Sequence, residues 1–228
     1  MSRQYWSLLG SLFEYPSEKP LAAVSMACRA LEETGNPALR AAAGLLREFR
    51  RQLERSGLDD LRLDYVALFD LDPQCSPFLT WHVYGDTPRQ GRALAALGRL
   101  YRDSGYELNR SVMPDYLPLM LEFLSIAPDW AAETLSQGFM THMCALGERI
   151  GATENRYSSL GRAFAATAAD VRSAEIPRGE PPVRSSAVPK TPVQNMSVKN
   201  GFSCGQEGTR SDGSFACCAR GGTPCKAG

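Results

Sequence analysis

Apolar residues recur three and four positions apart along most of the first 174 residues, which is the spacing of one face of an α-helix. The first such stripe consists of Tyr5, Leu8, Leu9, Leu12 and Phe13. Stripes or helix-start signals of this kind define segments 5–13, 21–31, 39–53, 61–69, 94–101, 114–126, 135–150 and 157–171. No segment shows the convincing apolar–polar alternation of a strand. The pattern therefore predicts an all-α body of eight or nine helices with short connections.

Proline, glycine and capping residues mark where these helices begin and end. Asn36-Pro37 is typical of a helix cap followed by a first-turn proline. Ser17 is expected to cap the second helix, and Pro114 is expected to start the helix that runs to position 126. Residues 74–86 fit either a short helix or an extended loop, and their pattern does not decide between the two.

The helical pattern stops after residue 174. Residues 175–198 are rich in proline and carry no apolar stripe, and residues 200–228 are rich in Gly, Ser and Cys. A segment of this kind cannot bury enough apolar surface to fold alone. We therefore predict one helical domain over residues 1–174 and a disordered tail over residues 175–228.

The balance of acidic and basic residues indicates which classes of molecule the protein can bind. The chain has 25 basic and 25 acidic residues, and its first 174 residues carry 18 Lys and Arg against 21 Asp and Glu. This balance argues against binding to nucleic acid driven by bulk charge, and it slightly favours a basic partner. The first residues lack the signal-peptide pattern, and no apolar run approaches the roughly 20 residues that span a bilayer. We expect a cytoplasmic protein without direct membrane insertion.

Catalytic chemistry is poorly represented in the sequence. His82 and His142 are its only histidines, and it contains no phosphate loop, dinucleotide fingerprint or nucleophile elbow. Asp70 and Asp72 could form an acid–base pair, but Asp72 precedes a proline and is more typical of a helix end. We expect no catalytic residues and no enzyme activity.

The seven cysteines fall into two groups. Cys28, Cys75 and Cys144 lie far apart in the helical body and are expected to be reduced, buried thiols. The other four lie in the tail: Cys204, Cys217, Cys218 and Cys225. Four thiolates could bind a metal, but the tail lacks the paired Cys-x-x-Cys knuckles of such sites. We expect no metal site and an unstructured or adventitious tail. A metal-binding or redox-regulatory role for these cysteines is the alternative function.

Residues 64–123 combine aromatic and acidic side chains on predicted helices and turns. Aromatic rings and carboxylates together suit a groove that takes a basic, amphipathic peptide helix. The positions predicted to form or support such a groove are Tyr65, Phe69, Tyr84, Asp86, Asp115, Tyr116 and Glu122. For Asp86 and Asp115 the alternative interpretation is structural, because aspartate next to a glycine or a proline often shapes a loop or caps a helix.

The order of short motifs in the body resembles one known family. The motifs are Tyr65-Val66-x-x-Phe69-Asp70, Leu79-Thr80-x-His82-x-x-Gly85-Asp86, Arg89-x-Gly91-x-Ala93-Leu94 and Pro114-Asp115-Tyr116-Leu117-Pro118-x-x-Leu121-Glu122-Phe123-Leu124. Together with the opening Leu8-Leu9-x-x-Leu12-Phe13-x-Tyr15-Pro16, they resemble the NarJ branch of the TorD-like redox-enzyme chaperones over residues 5–172. The tail departs from that family's pattern.

The resemblance implies a compact multi-helix chaperone, not an enzyme. Its implied partner is the apo catalytic subunit of a membrane-associated molybdoenzyme, similar to the nitrate reductase alpha subunit. The chaperone would bind the N-terminal segment of that subunit and assist insertion of the molybdenum cofactor before membrane attachment. The resemblance implies no cofactor retained by the chain itself.

Overall fold

A computed structural model of the chain describes residues 3–109, 111–174 and 194–196. Within these ranges the α-helices are α1 Gln4–Leu12, α2 Leu21–Glu32, α3 Pro37–Arg55, α4 Leu58–Tyr65, α5 Leu79–Tyr84, α6 Pro88–Asp103, α7 Leu117–Ile126, α8 Asp129–Gly151 and α9 Ser158–Ala174. One turn of π-helix, Val66–Asp70, continues α4 directly. The prediction of an all-α helical bundle is confirmed.

The core is built around α9, which packs against α8 on one side and α3 on the other. Helix α2 packs on α3, and α1 packs against α2 and α7. Aromatic side chains join these layers: the ring centroids of Phe13 and Phe164 are 5.2 Å apart, and the hydroxyl oxygen of Tyr5 lies 3.0 Å from Thr167 Oγ1. The apolar stripes of the sequence therefore face one shared interior, as their helical spacing predicts.

Helices α8 and α9 approach each other through glycines. A Cβ atom placed on Gly161 would lie 2.5 Å from Ile150 Cγ2 and 2.7 Å from the backbone nitrogen of Gly151. A Cβ atom on Gly147 would lie 2.8 Å from the backbone nitrogen of Ala165. Since these distances are shorter than van der Waals contact, the two backbones can pack this closely only without side chains at these positions.

Two of the predicted helix starts are wrong and one is confirmed. The Asn36 side chain accepts a hydrogen bond from the Ala38 backbone at 2.9 Å, as expected for a cap of α3. Helix α2 begins after Pro20 with no side-chain cap, so Ser17 does not cap it. Helix α7 begins at Leu117 rather than at Pro114, because the Leu117 backbone nitrogen donates instead to the Pro77 carbonyl at 2.8 Å.

A short strand pair was not predicted. Strand β1, Tyr106–Leu108, pairs in parallel with β2, Gln194–Met196. Strands of three residues are too short to show an alternating pattern, and their pairing rests on backbone groups that the sequence does not reveal. Apart from β2, the predicted disordered tail lies outside the residues that the structure describes.

Candidate functional site

The short helix α5 lies at the centre of the candidate site, and its first turn is held by a residue far along the chain. Asp115 is 1% exposed, and its Oδ2 accepts hydrogen bonds from the Thr80 backbone nitrogen at 3.1 Å and from Thr80 Oγ1 at 2.5 Å. The Asp115 carbonyl also accepts from the Leu79 nitrogen at 3.1 Å. Asp115 therefore satisfies the free N–H groups that begin α5, as a capping residue does.

The other end of α5 is a glycine turn. Gly85 has a φ of +57°, a region that side chains disfavour, and its nitrogen donates to the Trp81 carbonyl at 2.9 Å. Thr87 Oγ1 donates to the Tyr84 carbonyl at 2.9 Å, and Pro88 follows as the first residue of α6. Asp86 is exposed at the tip of this turn. The turn therefore fixes the angle between α5 and α6.

The loop that precedes α5 is tied to α5 itself and to α8. His82 Nε2 donates to the Ser76 carbonyl at 2.7 Å, and Arg149 Nε donates to the Gln74 carbonyl at 2.7 Å. Burial lowers the pKa of His82, and the positive charge of Arg149 lowers it further. The same two causes lower the pKa of His142 on α8. Both imidazoles are therefore held in their neutral forms where α5 packs against α8.

Acidification from about pH 7 to about pH 5 is expected to destabilise the protein through these histidines. The unfolded chain takes up protons near the usual histidine pKa of about 6.5, whereas the folded chain resists protonation because burial lowers both pKa values. The unfolded state thus binds more protons than the folded state, so the free energy of unfolding decreases as the pH decreases. Urea unfolding of His82→Gln/His142→Gln should show a weaker pH dependence across this window than wild type. Equal pH dependence would contradict this assignment.

An aromatic cluster supports the start of α7. The Tyr65 hydroxyl donates to the Phe13 carbonyl at 3.2 Å and lies 3.4 Å from the Tyr116 hydroxyl. The rings of Tyr65 and Phe69 are 4.7 Å apart. Burial raises the pKa of Tyr65 well above its usual range. Tyr65 and Phe69 are 4% and 3% exposed, so their place is beneath the surface, where they position Tyr116.

Two aromatic side chains at the start of α5 are exposed to solvent. Phe78 is 37% exposed and Trp81, one turn along α5, is 43% exposed. The Phe78 ring lies 5.5 Å from that of Tyr116, and the two residues form an antiparallel backbone bridge. We call Phe78, Trp81 and half-buried Tyr116 the aromatic patch. Exposed rings on a structured support are typical of a contact surface for another protein.

An apolar groove lies at the other end of α5. A cavity of about 180 Å³ opens between α6 and α8. Its lining consists of Tyr84, Ala93, Ala96, Leu97, Leu100, Thr134, Leu135 and Phe139. A second, wider cavity of about 490 Å³ is lined by Val83, Tyr84, Thr87, Pro88, Arg89 and Arg92. Tyr84 lines both cavities. We call the first the α6–α8 groove and the second the arginine cavity.

The structure divides the seven predicted groove residues into separate places. Tyr65, Phe69 and Tyr116 are in contact, and Asp115 beside them caps α5. These residues form the aromatic patch or support it. Tyr84 and Asp86 lie at the opposite end of α5, where Asp86 is exposed and Tyr84 is half-buried. Glu122 lies half-buried on α7, and its carbonyl accepts a hydrogen bond from Ser125 Oγ. For Asp115 the observed contacts are those of the structural alternative.

Other candidate residues were missed because their sequence signals are those of a core. Leu97, Leu100 and Phe139 belong to helical stripes, yet they line the α6–α8 groove. Arg89 belongs to one of the motifs that resemble the family, but neither Arg89 nor Arg92 has a neighbouring pattern that indicates a binding residue. Their place along the groove and the arginine cavity depends on how α5, α6 and α8 pack together, which the sequence does not reveal.

The described part of the chain contains three cysteines. Cys28, Cys75 and Cys144 are free and buried there, as predicted, and burial raises the pKa of Cys75 to about 11. Residues 3–109, 111–174 and 194–196 contain no group of three or more His, Cys, Asp or Glu side chains placed to hold a metal. None of the described helices has both the length and the apolar character needed to cross a membrane. The tail cysteines lie outside the described residues.

Comparison with known proteins identifies the family. Residues 32–156 match the family model described as nitrate reductase delta subunit. The chain is 29% identical over 155 residues to the probable nitrate reductase molybdenum cofactor assembly chaperone NarJ of Bacillus subtilis, covering 68% of this chain and 83% of that protein. It is also 29% identical over 157 residues to the probable chaperone of the same description, NarW, of Escherichia coli K12, covering 69% of this chain.

A third relative matches a shorter segment of the chain. The nitrate reductase molybdenum cofactor assembly chaperone NarJ of Escherichia coli K12 is 32% identical over 112 residues, which cover 49% of this chain. The matches span 64% of Escherichia coli NarW and 48% of Escherichia coli NarJ, less than two thirds of either protein. The family match covers more than half of the chain and includes all residues of the aromatic patch and the α6–α8 groove. The chain therefore belongs to the nitrate reductase delta subunit family, in the NarJ branch that its motifs resemble.

Proposed function

We propose that this chain is a chaperone that binds the N-terminal segment of the apo catalytic subunit of a nitrate reductase-like molybdoenzyme. By holding that segment away from the rest of the subunit, the chaperone keeps the path of the molybdenum cofactor open and delays membrane attachment until insertion is complete. The chain performs no catalysis in this process. Family membership and the names of its relatives support the class of partner.

The aromatic patch is the observation that carries the proposal. Phe78 and Trp81 expose large apolar area on a helix whose two ends are fixed by Asp115 and Gly85. A rigid aromatic surface loses little conformational entropy when it binds a partner. Aromatic side chains of this kind dominate the energy of many interfaces, at about 2 kcal/mol or more for each central ring.

The α6–α8 groove is too small for most small-molecule ligands, and its size favours single side chains of a bound peptide. Sites for small molecules usually measure about 300–1,000 Å³, whereas this groove measures about 180 Å³. A peptide helix is about 10–12 Å across and lies on such a surface with single residues inserted. In our proposal one or two apolar residues of the client enter the groove while the rest of its helix crosses α5 to the aromatic patch.

The seven predicted residues take unequal parts in this binding mode. Tyr116 and Tyr84 touch the client at the two ends of α5, and Asp86 is the carboxylate placed to meet a basic client residue, because it is exposed. Tyr65, Phe69 and Asp115 act as supports, since they are buried. Glu122, half-buried on α7, is proposed to support the site.

Truncation of the aromatic patch tests the proposal. Phe78→Ala/Trp81→Ala is expected to weaken binding to the client's N-terminal segment by at least about 30-fold, because two exposed rings are removed from the centre of the interface. Titration calorimetry with a synthetic peptide of that segment would measure the change. Molybdenum content of the co-produced enzyme should fall in parallel.

Trp130→Ala is the matched control. Trp130 is 48% exposed on the first turn of α8 and lines neither cavity, so its removal deletes an equally exposed indole outside the aromatic patch and the groove. We expect wild-type affinity for this variant. Wild-type affinity of Phe78→Ala/Trp81→Ala, or an equal loss in Trp130→Ala, would contradict the placement of the site.

A further inference from the structure

Helix α6 carries a row of exposed arginines. Arg89, Arg92, Arg99 and Arg102 follow at intervals of three, seven and three residues, which places them on one side of the helix. All four are exposed, while Leu97 and Tyr101 on the opposite side are buried. We call these four residues the arginine row.

The four guanidinium groups of the arginine row lack counter-ions in the described part of the chain, as do the single arginines Arg29 and Arg40. In residues 3–109 and 111–174, arginines of α3 and α4 form ion pairs with Glu32, Glu48, Glu54 and Asp59. Within the same ranges no ion pair joins any member of the arginine row to an acidic side chain. The acidic residues next to the row in the chain are Asp86 and Asp103. Both are exposed, and neither forms an ion pair with an arginine of the row.

The row begins inside a cavity that continues the α6–α8 groove. Arg89 and Arg92 line the arginine cavity together with Tyr84, and Tyr84 also lines the groove. A chain segment whose apolar residue fills the groove therefore has two guanidinium groups beside it as it passes Tyr84. Guanidinium groups bind carboxylates through paired, charge-assisted hydrogen bonds.

We propose that the arginine row selects a client segment in which acidic residues flank the apolar anchor. This inference rests on the proposed function. It specifies the charge of the client residues that bind at the Tyr84 end of α5. The rest of the body favours a short acidic segment over a nucleic acid or an anionic membrane, because residues 1–174 carry 21 acidic and 18 basic residues and repel an extended polyanion.

A charge reversal tests the arginine row directly. The probe is a set of overlapping synthetic peptides that covers the N-terminal segment of the client. Arg89→Glu/Arg92→Glu is expected to bind the best peptide about tenfold more weakly than wild type at about 0.05 M NaCl, and the difference should shrink at about 0.5 M NaCl. Arg29→Glu/Arg40→Glu is the control: it changes the net charge equally through two exposed arginines on α2 and α3, and it should bind like wild type.

Peptide substitution identifies the partner charge. Changing the acidic residues of the best peptide to lysine should weaken binding to wild type and restore binding to Arg89→Glu/Arg92→Glu, which is the signature of a direct pair. Equal peptide binding by wild type and Arg89→Glu/Arg92→Glu would overturn the inference and leave the proposed function standing. Absence of binding to wild type would overturn both. Arginine-dependent binding to single-stranded RNA or to phosphatidylglycerol vesicles, with peptide binding unchanged, would assign the row to those partners instead.

Discussion

Gly161→Ala is expected to lower the free energy of unfolding by about 2–3 kcal/mol, the cost of overpacking a well-filled core. The added methyl group would lie 2.5 Å from Ile150 Cγ2 and 2.7 Å from the Gly151 backbone nitrogen. The Ile150 side chain is fully buried and cannot swing aside, and the backbone nitrogen can move only with the whole helix. Helices α8 and α9 must therefore separate, which loosens the largest helix pair of the core.

Gly138→Ala in the same helix pair should have the opposite effect. Gly138 is exposed on α8, and a Cβ atom there would have no neighbour within 4 Å. Alanine at an open helical position is more stable than glycine by about 0.5–1 kcal/mol. Urea unfolding of both variants measures the contrast. A stability of Gly161→Ala equal to wild type would show that α8 and α9 pack less closely than described.

The helices themselves were predictable because each rests on local chemistry. The stripe from Leu39 to Leu53 and the cap at Asn36 place α3 within two residues of its observed ends. The glycines of α8 and α9 gave no such signal. In a sequence, a glycine inside a helical pattern indicates a less stable helix. Its role in close packing is visible only in the structure, where Gly161 contacts Gly147 and Ile150 of the neighbouring helix.

Helix α5 was ambiguous in the sequence because the groups that stabilise it come from elsewhere. Its six residues are too few to form a stable helix alone. The cap of its first turn is Asp115, 35 residues further along the chain. For the same reason the start of α7 was misplaced: residues next to Asp115 pair with the Pro77–Leu79 backbone instead of extending α7. Non-local capping carries no periodic signal.

This arrangement couples both parts of the proposed client surface to one side chain. Phe78 and Trp81 of the aromatic patch lie at the start and middle of α5, and Tyr84 of the groove lies at its end. If α5 unwinds, the patch and the groove lose their relative positions together. In our proposal Asp115, which is 1% exposed, therefore contributes to binding through the helix and not through contact with the client.

Asp115→Ala is accordingly expected to impair client binding without touching the client. The substitution leaves the buried Thr80 nitrogen and hydroxyl without their acceptor, which costs about 2–3 kcal/mol. Hydrogen exchange of the α5 amides should accelerate by about 30- to 160-fold, the rate change that corresponds to this free energy. The affinity for the client peptide should fall with it, because a folded α5 must be restored before binding.

Asp86→Ala separates this effect from loss of a surface carboxylate. Asp86 is exposed at the opposite end of α5, so its removal should leave α5 exchange unchanged and reduce affinity only by the value of one exposed ion pair, about 0.2–1 kcal/mol. A binding defect in Asp115→Ala with wild-type α5 protection would instead place the Asp115 carboxylate at the client interface. Accelerated α5 exchange with wild-type affinity would show that the client does not bind across α5. The two measurements together thus decide whether the order of α5 is what the client recognises.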